Sequence, residues 1–343
     1  MATSLDVRGL TVELPTRSGW VRPVHDVSFT LARGETLGIV GESGSGKTML
    51  SLALMGLEPH GARHDGQAWL HPRNANGNSN GASRRDPAAA SAPELPRENL
   101  LALSPEKMRE IRGREIAMIF QEPMTALNPV LRIGAQIEEA IRVHEPRTGA
   151  NEIRSRTLAA IERAALPDPE RRVRQYPHQL SGGLRQRVMI AMALAAGPGV
   201  LIADEPTTAL DVTVQKQILE LLAKLRRELQ LSMLFITHDL GVVAQVADRV
   251  VVMYAGRIVE AGPVAEVLRA PRHPYTEGLL RAAPRLAREK LVPIPGTVPA
   301  LDVLPAGCAF APRCPHRVPQ CDAAVPGLRA VNANHHARCI LVP

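Results

Sequence analysis

An α/β fold with a central, partly parallel sheet is predicted for this chain of 343 residues. Three observations predict it. The apolar run Thr36-Leu37-Gly38-Ile39-Val40 reads as a buried strand, and a glycine-rich turn leads from it into Met49 to Leu57, a run of good helix formers. A second apolar run, Val200-Leu201-Ile202-Ala203, reads as another buried strand and ends in the acid pair Asp204-Glu205. Elsewhere strand patterns alternate with helical ones, the order that builds a sheet covered by helices. Hydrophobic residues make up 45% of the chain, enough for a sizeable core, and aromatics only 3%, so aliphatic side chains must fill it. The length accommodates one large domain and a smaller appendage.

The turn after the first strand reads Gly41-Glu42-Ser43-Gly44-Ser45-Gly46-Lys47-Thr48 and fits the pattern G-x-x-x-x-G-K-[ST] between a strand and a helix. The glycines let backbone N–H groups turn inward around a phosphate chain, and the new helix adds its unpaired N–H groups and positive dipole end. Lys47 can reach the β and γ oxygens as a point charge, and Thr48 can offer a hydroxyl to Mg²⁺. An ordinary glycine turn would not need the full pattern in this context. Asp204, closing a buried strand, is placed to hold the Mg²⁺ shell, and Glu205 to orient or deprotonate a water near the γ-phosphate. Read alone, the two acids would be a solvated strand end.

Between these strands lies Leu180-Ser181-Gly182-Gly183-Leu184-Arg185-Gln186-Arg187. Alone it would read as a Ser-capped helix start. Its glycines also permit close backbone approach, and Ser181 can donate to a phosphate at the N-terminus of the helix Leu184 to Ala196. A phosphate loop, then L-S-G-G followed by R-Q-R, then a strand ending Asp-Glu, resembles the ATP-binding subunits of ABC transporters over roughly residues 4 to 265. The family usually has Gln where this chain has Leu184. Further family elements follow in order. Gln121 matches the Q-loop, which senses Mg²⁺ and water; Thr208-Ala209-Leu210-Asp211 resembles the D-loop, which crosses to a partner subunit; His238, after the apolar run Leu234-Phe235-Ile236, matches the switch histidine at the γ-phosphate. Trp20, the sole Trp or Tyr upstream of the phosphate loop, is the candidate for stacking on adenine, with a plain surface position as the alternative. The resemblance implies ATP and Mg²⁺ as cofactors, with Thr48, Gln121 and Asp204 around the metal. It also implies a head-to-tail sandwich in which each nucleotide is gripped by one chain's phosphate loop and the other chain's Ser181-Gly182-Gly183 turn. Loss of the γ-phosphate then weakens that interface.

The ABC nucleotide-binding domain is expected over 1–265, with a helical subdomain over about 122–196 containing helices at Leu131 to His144 and Asn151 to Ala165. Residues 72–99 are rich in Asn, Gly, Ala, Ser and Pro, lack a hydrophobic period and read as a flexible insert. Leu100 to Arg114 returns to a helical pattern, with Ser104-Pro105 as its start. A C-terminal domain is expected over 266–343. Its His273-Pro274-Tyr275-Thr276 and Pro295-Gly296-Thr297-Val298-Pro299 segments resemble the oligopeptide, dipeptide and nickel branch of ABC importers, most of all its dipeptide-transporter ATPases.

All four cysteines, Cys308, Cys314, Cys321 and Cys339, fall in this tail at intervals C-x5-C-x6-C-x17-C. In a reducing compartment clustered thiols bind metal more often than they form disulfides, and these intervals are not the C-x2-C pairs of a zinc ribbon. Zinc and no metal stay open, with His316, His335 and His336 as competing ligands. The family resemblance implies a four-iron four-sulfur cluster on the four thiolates, structural or regulatory because import needs no redox step.

No apolar stretch is long enough to span a bilayer, and the N-terminus, with Asp6 and Arg8 in a strand-like pattern, does not read as a signal peptide. The formal charge of +7 comes from scattered arginines without interleaved aromatics, so nucleic acid is not expected as a partner. A peripheral place on the cytoplasmic face of the inner membrane suits a modest positive excess. The resemblance implies a second, related ATPase chain, two transmembrane permeases and an extracytoplasmic substrate-binding protein as partners, and dipeptides as cargo. Nickel or another small solute is the alternative cargo, and a soluble ABC ATPase uncoupled from transport the alternative class.

Overall fold

Two sheets stack around the first strand-turn-helix unit. The computed structural model describes residues 2–17, 19–71, 98–208, 210–283 and 292–342. The smaller sheet is antiparallel, in the order β2 (Gly19–Ala32), β1 (Thr3–Thr16), β4 (Arg63–Leu70), β5 (Glu98–Asn99). The larger sheet takes its centre from parallel strands: β6 (Ile116–Ile119), β7 (Val200–Asp204), β8 (Ser232–Thr237), β3 (Thr36–Val40) and β9 (Arg249–Tyr254) are neighbours in that order. The fold is therefore α/β with an antiparallel part. β3, β7 and β8 are buried along their whole length, which is why they read as unbroken apolar runs rather than as alternating ones.

Helix α1 (Lys47–Leu54) lies between the two sheets, where Leu50 and Leu54 join Leu5, Val27, Ile39 and Ile202 in one core. A second core covers the other face of the large sheet. It is built from α4 (Ile133–Arg142), α5 (Ala150–Arg163), α7 (Gly182–Leu194) and α8 (Val212–Leu229), through Ile137, Ile161, Val188 and Leu222. Shorter helices α2 (Pro105–Ile111), α3 (Pro123–Ala126) and α6 (Pro169–Arg172) join these elements. α2 begins as the sequence indicates, with Pro105 in its first turn and Ser104 Oγ accepting from Lys107 N.

The expected insert needs one correction. Residues 72–97 lie outside the described residues, but Glu98–Asn99 is strand β5, paired with Trp69 and Leu70, and Asn99 Oδ1 accepts from Ala68 N. Two residues are too short a run to show a strand period, and the pairing is supplied by β4.

The tail folds back onto the large sheet. After α9 (Leu240–Val246), β9 and β10 (Arg257–Pro263) come α10 (Val264–Arg269), α11 (Pro274–Ala282) and the short α12 (Gln320–Ala323). β12 (His336–Ala337) then pairs with β10, and β11 (Arg329–Ala330) with β12. Tyr254, Tyr275 and Phe310 meet with ring centroids 4.7 to 5.4 Å apart in a third core that also takes in Val40, Val243 and Val252. Three of the chain's nine Phe, Trp and Tyr residues thus meet where the tail joins the sheet. Glu260, wholly buried in β10, accepts from Arg272 N, His273 N and His335 Nε2 at 2.7 to 2.9 Å.

Candidate nucleotide-binding site

The turn between β3 and α1 is a hollow of backbone. Gly46 has φ of 99°, and a Cβ there would stand 1.9 Å from Pro23 O, so no side chain fits without moving the backbone. Gly46 is the N-cap of α1 and no side chain caps the helix, so among the described residues the N–H groups of Lys47 and Thr48 find no partner. Such free donors at a helix start are what a phosphate takes. Lys47 is buried and curls over the loop, donating Nζ to Gly41 O at 2.7 Å, Glu42 O at 2.9 Å and Ser45 Oγ at 3.3 Å. Burial lowers its pKa, opposed by the carboxylates of Glu205, Asp204 and Glu42. Ser43, Gly44 and Thr48 stay exposed.

Two carboxylates close the hollow, and their environments differ. Asp204 is 1% exposed; its Oδ2 lies 3.4 Å from Ser51 Oγ, and its Oδ1 has no hydrogen-bond partner. Burial raises its pKa to about 6, aided by the charge of Glu205 and opposed by hydrogen bonding from Thr48 and the charge of Lys47. A buried, half-partnered carboxylate beside a threonine hydroxyl is a site short of a cation, and these oxygen donors fit Mg²⁺.

Glu205 follows with φ of 46°, a left-handed conformation that costs a non-glycine residue roughly 1 kcal/mol. That turn brings its Oε2 within reach of three donors: Thr208 Oγ1 at 2.8 Å, His238 Nδ1 at 3.2 Å and Gln121 Nε2 at 3.3 Å. The hydrogen bond with His238 is the main cause holding the Glu205 pKa below its ordinary value, and the same bond raises that of His238. Gln121, Glu205 and His238, taken from three separated segments, are therefore one cluster.

The remaining expected residues stand apart from the hollow. Ser181, Gly182 and Gly183 open α7, with Ser181 and Gly182 exposed, and no hydrogen bond among the described residues joins them to 41–48. Ser181 is the N-cap of α7, yet its hydroxyl caps nothing. A Cβ on Gly183 would stand 2.6 Å from Val214 Cγ1, so the glycine lets α7 and the start of α8 touch. Leu184, where the family has Gln, is partly buried against the helical core. Asp211 is the N-cap of α8 and accepts from Val214 N at 2.9 Å, so its carboxylate serves its own helix. Trp20 is exposed in β2 with the Arg63 guanidinium 4.0 Å from its ring centroid.

All four cysteines are free and face one cavity, shared with His273, Phe310 and His316. Burial raises the pKa of Cys308, Cys314 and Cys339, and the nearby Cys321 adds to each. Among the described residues no three His, Cys, Asp or Glu stand close enough to hold a single ion. Of the competing histidines, His335 is spent on Glu260.

Sequence reasoning missed four contributors. Ser51 sits one turn past the phosphate loop and carries no signal of its own, and Thr208, read as the start of the D-loop, was not expected to bond Glu205. Tyr275 and Arg313 reach the loop from the tail: Tyr275 Oη accepts from Glu42 N at 2.8 Å, and Arg313 grips the Glu42 carboxylate. The HPYT segment marked Tyr275 as notable, but not as a neighbour of residue 42.

A strand, a glycine-rich loop and a helix start, with an acid at the end of a second parallel strand one strand away, define a P-loop nucleoside triphosphatase. The comparisons narrow the class. Residues 24–208 match the family model described as ABC transporter, and 259–321 match the one described as oligopeptide/dipeptide transporter, C-terminal region. The chain belongs to the ABC transporter family, in its oligopeptide/dipeptide branch, and is an ATPase. It is 50% identical over 98% of its length to a Brucella ovis protein named as a peptide import ATP-binding protein, covering 96% of that protein. A Brucella abortus protein of the same description is 46% identical over 98% of this chain and 95% of its own. Among solved structures, the ATP-binding cassette MJ0796, dimeric and bound to ADP and Pi, is 26% identical with a TM-score of 0.61, covering 76% of this chain and 98% of its own. CbiO1 from Clostridium perfringens, part of an ABC transporter complex, is 26% identical with a TM-score of 0.58, covering 79% and 92%. Proteins of this family use ATP and Mg²⁺.

Proposed function

We propose that the chain powers the import of peptides, dipeptides in particular, by hydrolysing ATP at residues 41–48 and the cluster around Glu205. The observation that carries the site is the convergence of Gln121, Thr208 and His238 on Glu205 Oε2 beside the Lys47 hollow. The cargo is supported by the C-terminal family match and by the relatives named for peptide import.

The N–H groups of Lys47 and Thr48, with the loop amides, cradle the phosphates, and Lys47 Nζ leaves one of its carbonyl partners for a γ oxygen. Asp204 and Thr48, with Gln121, hold Mg²⁺, which when bound neutralises charge on the β and γ oxygens. Glu205 orients the attacking water and takes its proton. While it is bonded to His238 its pKa is depressed and it is a weak base. If His238 turns to the γ-phosphate, that bond is released and Glu205 becomes more basic, so hydrolysis is coupled to the presence of the third phosphate.

The exposed Ser181-Gly182-Gly183 turn completes the site of a second ATPase chain, related but different, in a head-to-tail sandwich; Asp211 lies at that interface, and Trp20 stacks on adenine. Among the described residues no helix is long and apolar enough to cross a membrane. Two permeases therefore supply the channel, an extracytoplasmic binding protein supplies specificity, and the chain sits peripherally on the cytoplasmic face of the inner membrane. The four tail thiols carry a four-iron four-sulfur cluster, a reading supported by the family resemblance and by the cavity that all four line. Reconstituted with its permeases and a dipeptide-loaded binding protein, the chain should show a low basal ATPase rate that rises on assembly. A Glu205→Gln variant should accumulate the ATP-bound dimer. Unchanged turnover in that variant would refute the role of Glu205, and uptake of nickel without dipeptide would refute the cargo. A brown, visible-absorbing protein on anaerobic purification is the result expected of the cluster; a colourless one would remove it.

A further inference from the structure

Glu42 is the second residue of the phosphate loop, and three of its groups are already spent. Its carbonyl accepts from Lys47 Nζ at 2.9 Å and its N–H donates to Tyr275 Oη at 2.8 Å. Its carboxylate receives two bonds from Arg313, Nη1 to Oε2 at 2.6 Å and Nη2 to Oε1 at 3.0 Å. Such a bidentate pair is among the strongest hydrogen-bonded arrangements and fixes orientation as well as distance. Arg313 is itself immobilised. Its side chain is 4% exposed, its Nε donates to Pro295 O at 2.9 Å and its Nη1 also reaches Tyr254 Oη at 3.3 Å. It stands immediately before Cys314 in the segment that runs from Cys308 along the thiol-lined cavity. Phe310 of the same segment packs on Tyr254 and Tyr275.

We propose that Arg313 is a positioning residue for ATP binding: from the cysteine segment it holds Glu42, and through Glu42 the carbonyls that seat Lys47. The tail is then part of the nucleotide site. Lys47 takes two of its three contacts from Gly41 O and Glu42 O, so a loop that loses its grip at Glu42 loses the lysine's seat. The loop amides must also be aimed before phosphate arrives, because ordering them on binding would subtract from affinity.

The proposal rests on residues 41–48 being the ATP site, and the experiment separates the two. Binding of Mg-ATP to the full chain is measured by titration calorimetry for the parent, Lys47→Ala, Arg313→Gln, Arg313→Lys and Glu42→Gln, with thermal melting of each. The expected result is a loss of about tenfold or more in affinity for Arg313→Gln and Glu42→Gln, no further loss in the double variant, and an intermediate loss for Arg313→Lys, which keeps the charge but not the fork. In ATPase assays KM should rise by a similar factor while kcat changes by less than about threefold. Parent-like affinity in a folded Arg313→Gln would overturn the proposal while leaving the site intact. Lys47→Ala binding as well as the parent would instead overturn the site. If Arg313→Gln fails to fold, Arg313→Lys decides: affinity equal to the parent rejects the positioning role.

Discussion

His238 Nδ1 lies 3.2 Å from Glu205 Oε2, so the two groups expected to act at the γ-phosphate are bonded to each other. Their pKa values move apart chiefly because the charged forms share a hydrogen bond. The His238 ring should therefore titrate above 6.5 in the nucleotide-free chain, and in Glu205→Gln it should fall back toward that value. The contribution of His238 to stability is full below its unfolded pKa and lost as pH rises through the raised folded one. That of Glu205 is full above its unfolded pKa and lost as pH falls through the depressed one. Ring proton shifts followed by NMR across pH 5 to 9 (roughly the range in which histidine titrates) measure this directly; an unshifted His238 in the parent would mean the pair does not persist in solution.

Asp204 shifts in the opposite sense. Burial lifts its pKa from 3.8 to about 6, so its ionised form is held at the expense of folding. A raised folded pKa means that its stabilising contribution is full below the unfolded pKa and lost as pH rises through about 6. Without Mg²⁺, Asp204→Asn should be more stable than the parent at pH 8 by up to about 3 kcal/mol, and the gain should vanish near pH 4. Its ATPase activity should be lost over the same range. Denaturant melts at the two pH values test it, and an Asn variant that is less stable at pH 8 would count against an uncompensated carboxylate.

Gly183 answers a packing need that the sequence motif hides. Adding a Cβ puts it 2.6 Å from Val214 Cγ1, and valine's branched side chain has few other rotamers to adopt. Gly183→Ala should cost about 1 to 2 kcal/mol, and Val214→Ala in the same chain should recover most of it. Melting curves read the packing, and ATPase assays with the assembled partners read the interface. Recovered stability without recovered ATPase would assign the second glycine a role at the partner surface as well.

The phosphate loop and the strand ending in Asp204 were legible because each is a local pattern, an apolar run and then a side chain or backbone type suited to the next turn, whereas the histidine after β8 was singled out only by the family resemblance. The helices of the subdomain were legible for the same reason, from their apolar period. What was not legible is distant in sequence. Arg313 and Glu42 are 271 positions apart, and nothing in either segment names the other. Asp211 reads as part of an interface motif, yet it bonds the first turn of its own helix, because an aspartate before a helix has a local use whatever else it does. The strand at Glu98–Asn99 borrows its geometry from β4. The four cysteines declared a cluster by count, but their spacing in the chain could not say that they would share a cavity with His273 and Phe310.

The docking of the tail turns on Glu260. This carboxylate is fully buried and takes three hydrogen bonds, two from the backbone of Arg272 and His273 and one from His335 Nε2. The first two hold the entry to α11 and the third holds the segment that carries β12, so one side chain fastens both ends of the tail to β10. Removing an acceptor from buried donors is more costly than removing an exposed pair, because each stranded N–H loses water as well as its partner. Glu260→Ala should cost about 3 to 5 kcal/mol, against less than about 1 kcal/mol for Glu170→Ala, whose ion pair with Arg154 is exposed on both sides. Hydrogen exchange should show the loss first at residues 329–342 and then at the N–H of Glu42, which depends on Tyr275 at the start of α11. Exchange that quickens uniformly across the chain, with no order between those segments, would show that Glu260 supports the whole fold rather than the docking of its tail.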